Sequence, residues 1–359
     1  MLSLWTHDAI TGAERRQVTA PAVDGASQWS MNIGGTGSCA FVFAVEDTPD
    51  GLTLAQIDDL FAPNSTLLSL RWGKTGVVGA WKVEDWVYDE DKSTVTVTGV
   101  ELRNEAAWRM SYALSGYELG TLSVTNKSRQ GATRAILERF MQWAAEWKYP
   151  IDLPLDSSGS FSATWEFWRK YTIEDLLTQV ENDGVEIVLR PYLTEARQLR
   201  FDTNVAVKVS VGTSYFHLQA EDRPLSGVRY KKSGADQLTG LQGVGNGTGQ
   251  DQEVAYQGGG PFPIPIRDAK REFPDLTGAR LQTATDAEFA ALRNPIEQWT
   301  VASFTASDEY PATHAVVTRG WQLESKGHRV FPDGVHTLRV ISSSGSWSNQ
   351  ISVEVQSGA

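Results

Sequence analysis

Residues 66–103 read TLLSLRWGKTGVVGAWKVEDWVYDEDKSTVTVTGVELR. Leu68, Leu70 and Trp72 alternate with Ser69 and Arg71, the period-two pattern of a half-buried strand. A Gly73-Lys74-Thr75-Gly76 turn leads to a second run, where Trp81, Val83 and Val87 alternate with Lys82, Glu84 and Trp86. Asp89-Glu90-Asp91-Lys92 supplies a polar hairpin tip, after which Thr94, Thr96 and Thr98 alternate with Val95 and Val97. Strand patterns separated by Gly and Asp clusters predict an antiparallel meander. With Trp, Tyr, Thr and Val on both faces, such a meander is expected to curl into a small barrel.

On the N-terminal side, short strands are expected at 2–6, 17–19, 29–33 and 40–45. An amphipathic segment over 52–61 is built on Leu54, Ile57, Leu60 and Phe61. Residues 1–103 therefore read as a first β-barrel domain. The pattern changes at about residue 104. Ile136, Phe140, Trp143 and Trp147 fall at spacings of four, three and four, which predicts a helix over 130–148 closed by Tyr149-Pro150. A second helix opens at Thr172, whose hydroxyl can cap it, with Glu174 and Asp175 favoured in the first turn by the helix dipole. Strands at 185–190 and 198–202 complete an α+β insertion over 104–215.

The C-terminal third repeats the opening idea. Strands are expected at 215–218, 227–231 and 240–244, then at 299–304, 315–318, 321–323, 337–342 and 350–355. Ser325-Lys326-Gly327, Pro332-Asp333-Gly334 and Ser343-Ser344-Gly345-Ser346 read as turns. Residues 216–260 and 296–359 together read as a second barrel. Between them, 261–295 reads as a connector and short helical insertion. Its proline-rich start, Gly258 to Pro265, excludes helix and central strand. Thr285-x-x-Glu288 has the form of a capping box for a helix closed by Asn294-Pro295. The expected fold class is β-rich α+β, with two β-barrel domains bracketing α+β insertions.

Composition narrows the function. A chain of 359 residues needs more than one core. Its 13 Trp and 32 Gly favour aromatic β-structure with tight turns. A net charge of −12 opposes a free-standing nucleic-acid binder, which needs a basic face. Residues 1–103 hold 14 acidic against 7 basic side chains, which suggests a negative surface there. The lone Cys39 leaves no intramolecular disulfide and reads as a small core residue. No basic leader precedes an apolar core at the N-terminus, and no apolar run reaches membrane-spanning length.

No active site emerges from the residues. His7, His217, His314, His328 and His336 lack metal-ligand spacing, and His7-Asp8 reads as a strand-end pair. Asp58-Asp59 and Asp89/Asp91 read as solvated charges. Gly243-Val244-Gly245-Asn246-Gly247-Thr248-Gly249 is followed by polar sequence rather than a helix, so it reads as a turn and not a phosphate loop. The tryptophans mostly occupy core-like positions, although a sugar-binding platform is the alternative for them. The chain reads as non-enzymatic architecture, with no catalytic, cofactor-binding or metal residues and no cofactor.

The order of features resembles the minor tail proteins of long-tailed phages infecting actinobacteria, in the class that forms the tail-tip hub. The stretches that carry the likeness are WSMNIGGTGSCAFVFAVED, LLSLRWGKTGVVGAWKVEDWVYDEDKSTVTVTGVELRNEAAWRM, WRKYTIEDLLTQVENDGVEIVLRP, LSGVRYKKSGADQLTGLQGVGNGTG and DAEFAALRNPIEQWTVASF. Together they span nearly the whole chain. The resemblance implies the baseplate-hub fold, with two tube-forming barrels and α+β decorations, and a homotrimer whose six barrels match the sixfold tail tube. It also implies distal tail protein, tape measure protein and tail fibre or receptor-binding proteins as partners. DNA would meet the chain only in transit through the lumen, and no stable membrane insertion is expected. The expected location is the virion tail tip, after assembly in the bacterial host cytoplasm. The expected function is to close the tail tube, anchor receptor-binding proteins and give the channel for genome ejection. The alternative is a cell-envelope carbohydrate-binding or glycan-hydrolysing tail protein. QISVEVQSGA follows directly on a barrel strand, so a hydrolase activity is expected on another polypeptide.

Overall fold

In the computed structural model, which describes residues 1–18, 26–45, 52–112, 120–142, 144–259, 264–274 and 276–357, the alternating segments become strands. The first seven are β1 (Leu2–Asp8), β2 (Glu14–Val18), β3 (Gln28–Asn32), β4 (Ser38–Ala44), β5 (Thr66–Trp72), β6 (Gly76–Asp89) and β7 (Thr94–Val100). On β4 and β7 one side chain in two is buried, the mark of a sheet with one covered face. Trp81 on β6 packs against Trp29 and Phe41 and donates its Nε1–H to the Ser30 carbonyl at 2.9 Å, so its one polar atom is satisfied in the core. Helix α1 (Leu54–Leu60) starts in a capping box between Thr53 and Gln56, and Phe61 just beyond it stacks on Phe43. Thr19, Trp143 and residues 260–263, expected in a strand, a helix and the connector region, lie outside the described residues.

The middle of the chain holds α2 (Glu105–Trp108), β8 (Thr121–Lys127), α3 (Arg129–Phe140), β9 (Ile151–Asp152), β10 (Phe161–Glu166), α4 (Ile173–Glu181), β11 (Glu186–Leu193) and β12 (Leu199–Ala206). β11, β12 and β9 form one small sheet, and β8 pairs with β10. Ile136, Leu137 and Phe140 of α3 meet Leu176, Leu177 and Val180 of α4 in a core that continues to Leu67 and Ala80 of the first sheet. The helix expected over 130–148 stops at Phe140. Tyr149 stacks on the Phe140 ring, a contact that requires the chain to double back between them, and residues 145–147 form only a 3₁₀ turn. Helix α4 begins at the expected cap, Thr172, in a reciprocal box with Asp175.

β13 (Thr213–His217) and β14 (Leu225–Ser226) return the chain to the large sheet. Residues 229–300 then form a compact unit distinct from the one made by 1–228 with 301–359. That smaller unit contains β15 (Arg229–Ser233), β16 (Gly240–Val244), β17 (Val254–Gly258), β18 (Asp268–Glu272), α5 (Gly278–Leu292) and β19 (Ile296–Thr300). β16 and β17 form a hairpin across the glycine-rich turn, β18 adds to β16 in parallel, and β15 pairs with β19. The helix expected to start at Thr285 starts seven residues earlier. Thr285 lies buried inside α5, donating its hydroxyl to the Leu281 carbonyl at 2.8 Å. A Cβ on Gly243 would stand 1.9 Å from the Thr285 Oγ1, so glycine is what lets β16 approach the helix.

The larger unit closes with β20 (Ser303–Thr305), β21 (Gly320–Ser325), β22 (Gly334–Ser346) and β23 (Gln350–Ser357). Two readings of this region are corrected. Residues 315–318 are not a strand: a 3₁₀ turn spans Ala312–Ala315, and Thr318 has φ +73°, which no strand accommodates. Ser343–Ser346 is not a turn but the end of β22, where Gly345 leaves room for the Trp29 ring against its backbone.

Among the described residues the two meanders form one 13-stranded sheet, β14-β20-β23-β22-β3-β4-β7-β6-β5-β1-β2, with β21 on β22 and β13 on β21. The order repeats. β4-β7-β6-β5 in the first half corresponds to β20-β23-β22-β21 in the second, and these neighbours are antiparallel in both. The long strands β6 and β22 hold corresponding places. β22 pairs with β21 over its first half and with β3 over its last five residues, and a bulge after Val340 marks the change.

Candidate assembly and channel surface

The register across β20, β23, β22, β3, β4 and β7 sets one continuous row of outward side chains. Gln350 and Ser352 of β23 lie beside Ser342, Ser344 and Ser346 of β22; Gln28, Ser30 and Asn32 of β3 follow, then Ser38 and Ala40 of β4, and Thr94, Thr96 and Thr98 of β7. The opposite face of the same strands carries Trp29, Phe41, Phe43, Val95, Val97, Ile351 and Val353, all buried. A groove of about 760 Å³ runs along the outward face, lined by Gln28, Ser30, Ser38, Ser344, Ser346 and Ser352 among others. Its carboxylate is Glu84, with Asp85, hydrogen-bonded by Thr98, and Glu354 on nearby positions. Among the described residues the groove is lined by no lysine or arginine. This surface is polar, carries its charge only as carboxylates among the described residues, and is built mostly of short side chains.

Buried ion pairs fix the sheet to the elements around it. Arg103, just after β7, donates to Glu174 and Glu181 of α4 and to the Ile187 carbonyl, at 2.6–3.2 Å. Burial alone would lower its pKa, but the two carboxylates outweigh it and raise the pKa instead. Arg339 on β22 makes the same kind of contact with Glu186 of β11, at 2.5 Å, and with the Val209 carbonyl. Lys82 of β6 pairs with Glu105 of α2, which also accepts from the Tyr149 hydroxyl at 2.7 Å. These contacts hold the insertion against the sheet.

His7 shows why a catalytic-looking contact here is structural. Its Nε2 lies 2.9 Å from the Ser69 Oγ and 2.8 Å from Arg71 Nη2, while Nδ1 faces the Gly12 carbonyl at 3.2 Å. A triad would need a carboxylate at Nδ1, and Asp8 instead accepts from the turn at Ile10 and Thr11. His7, Ser69 and Arg71 are all fully buried. Burial first, then the Arg71 charge, holds the imidazole down at about 4, so it is neutral. Arg71 and Arg197 both lie over the Trp5 ring and both reach Glu14, which completes a polar cluster whose inner part is buried.

The remaining features are dispersed. His217 pairs with Glu324 at the surface, and Cys39 is buried with its thiol pKa raised. Trp29, Trp81, Trp165, Trp299 and Trp321 are core residues, whereas Trp108 and Trp168 are exposed. Among the described residues no three His, Cys, Asp or Glu side chains cluster as a metal site, and no helix is long and apolar enough to cross a membrane. The register of the polar face could not be read from sequence, because SSSGS has turn composition; its alternation with Ile351 and Val353 across the ladder is the signal that places it.

No protein-family model matches the chain, and no curated protein matches its sequence. Solved structures do. A tail protein from Neisseria meningitidis aligns over 99% of this chain and 96% of its own, with a TM-score of 0.54 at 11% identity. A 43 kDa tail protein of prophage MuSo2 from Shewanella oneidensis aligns over 98% and 97%, with a TM-score of 0.52 at 12% identity. A component of the E. coli type VI secretion system, described as structurally similar to the T4 bacteriophage tail proteins gp27 and gp5, aligns over 95% of this chain and 75% of its own, with a TM-score of 0.50 at 7% identity. The chain shares the β-rich fold of these tail and secretion-system proteins.

Proposed function

We propose that this chain is the structural hub of a siphophage tail tip, acting as a homotrimer that closes the tail tube, anchors receptor-binding proteins and opens a channel for the genome. The observation that carries the reading is the repeated strand order, β4-β7-β6-β5 and β20-β23-β22-β21, within one polypeptide. Two like modules per chain, taken three times, give six stations around an axis, as a sixfold tube above and a threefold tip below require. Each module would close as a barrel in the ring. Among the described residues β2 pairs only with β1, and β13 only with β21. These open edges suit pairing between copies, because an uncovered strand edge invites a partner. On this reading the distal tail and tape measure proteins and the tail fibres meet other faces of the ring, and the protein resides at the virion tip.

The serine- and glutamine-rich face is the best candidate for the bore. The charge of residues 1–103 suggests an acidic bore, and Glu84, Asp85 and Glu354 on or beside this face agree with it in sign. The face lacks the cations that would hold phosphates, and its short hydroxyl side chains stay hydrated without gripping bases. Light scattering on the full chain tests the assembly: a trimer, seen as a ring with a central opening in negative stain, is expected. A strict monomer at tens of micromolar, with no ring when mixed with tail-tube protein, would overturn the hub reading.

A further inference from the structure

The larger unit contains a second cavity, of about 270 Å³, between the start of β6, the outer face of β11 and residues 313–319. Its wall includes Arg190, Arg319 and Thr318, with Val188, Val211 and Val316 as apolar surface. The deeply buried arginines Arg71, Arg103 and Arg339 each face a carboxylate at 2.5–2.8 Å. These two do not. Arg190 has only Asp202, at 3.3 Å, and its buried Nε has no acceptor. Arg319 has no carboxylate within 4 Å among the described residues. It is held by the Ser214 Oγ at 2.9 Å and the Thr213 carbonyl at 3.1 Å, and among the described residues Nη1 has no acceptor. Gly212, with φ +67°, makes the space: a Cβ there would stand 2.4 Å from Arg319 Nη1. Burial and the neighbouring Arg190 charge both push the Arg319 pKa down, so the two cations disfavour each other.

Thr318 adds a third donor under strain. It is 1% exposed, its hydroxyl has no partner, and its φ of +73° is costly for a β-branched residue. An unpaired buried donor is destabilising in isolation, and so are two like charges held close together. Two guanidinium groups and an unpaired hydroxyl on one cavity wall are complementary to an anion with several acceptor atoms. Glu101 lines the opposite end, where its Oε1 is already engaged by the Asn32 and Gly37 amides at 2.8 and 2.9 Å.

We propose that this cavity binds a small oxyanion between the guanidinium groups of Arg190 and Arg319, with the Thr318 hydroxyl as a further donor. The inference does not rest on the hub reading. Titration calorimetry and thermal unfolding of the full chain test it, with sodium phosphate and sodium acetate as probes and sodium chloride at equal ionic strength as control. Phosphate or acetate at ten times its Kd should raise the folded-to-unfolded ratio about elevenfold, through preferential binding to the native state. Chloride should not. Arg319→Gln should abolish the binding heat, Arg319→Lys should weaken it, and Thr318→Val, which keeps the side-chain shape, should lower affinity severalfold in a folded protein. Equal responses to all three salts, or unchanged affinity in Thr318→Val together with Arg319→Gln, would overturn the proposal. Because none of these readouts depends on trimer formation, their failure is distinguishable from failure of the tail-tip reading.

Discussion

Replacing His7 by Gln should make visible a pH dependence that the native protein conceals. The imidazole is held at about 4, against 6.5 when exposed, so the unfolded chain takes up its proton first as pH falls. Stability from His7 is complete above pH 6.5 and is lost towards pH 4. An interval of about 2.5 in pKa corresponds to ~3 kcal/mol. Glu101 acts in the opposite sense. Burial pushes its carboxyl up to about 7 from 4.5, despite the Asn32 and Gly37 amides and the nearby Arg103. Its contribution is complete below pH 4.5 and is lost as pH rises to 7, again by ~3 kcal/mol. Between pH 4.5 and 6.5 the two nearly cancel in the native protein. In His7→Gln stability should fall by about 2–3 kcal/mol across that range, and in Glu101→Gln it should rise by a similar amount. Urea unfolding of the larger unit at pH 4.5, 5.5 and 6.5 measures both slopes. Parallel profiles for the native protein and both variants would refute the assignment of these groups as buried in their uncharged forms.

Other consequences are equally direct. Trp81→Ala should cost about 3–5 kcal/mol, since it empties the space between Trp29 and Phe41, whereas Val87→Ala at an exposed position should cost under ~0.5 kcal/mol in the same denaturant assay. Arg103→Met leaves Glu174 and Glu181 facing one another without their cation and should destabilise the larger unit by about 3 kcal/mol, read from its thermal midpoint. Gly243→Ala must displace Thr285 and should loosen residues 229–300 by about 1–3 kcal/mol; hydrogen exchange should show lost protection there, with β5 and β6 unaffected. If the serine-rich face is the bore, Ser30→Arg with Ser344→Arg should leave the fold intact and slow DNA release from assembled particles, scored as dye-accessible genome over time.

Much of the β-architecture was legible because covered sheets impose period-two alternation. β5, β6 and β7 lie where residues 66–103 placed them, although β5, expected to be half-buried, is covered on both faces with Ser69 and Arg71 inside, and Thr172 caps α4 because its hydroxyl and Asp175 satisfy each other's backbone amides. Three failures share a cause, which is that local chemistry was overruled by a distant partner. Ser343–Ser346 has turn composition, but β3 and β23 pair with it on both sides. Thr285 and Glu288 look like a cap, but the Leu281 carbonyl takes the hydroxyl within a longer helix. The periodicity after Phe140 suggested more helix, but Tyr149 returns to stack on that ring. The polar face itself was invisible from sequence, because its members come from strands as far apart as Gln28 and Ser352.

The small unit at 229–300 enters and leaves through a ladder of its own. Arg229 faces Thr300 across β15 and β19, and just before that point Ser226 of β14 faces Ser303 of β20. Seventy-odd residues therefore begin and end side by side, like an attachment on a bayonet mount. A lineage could trade that attachment for another, or discard it for a tight reverse turn, while the frame that carries it kept every rung of its own ladders. Variation would then accumulate between Arg229 and Thr300, and the scaffold would be spared.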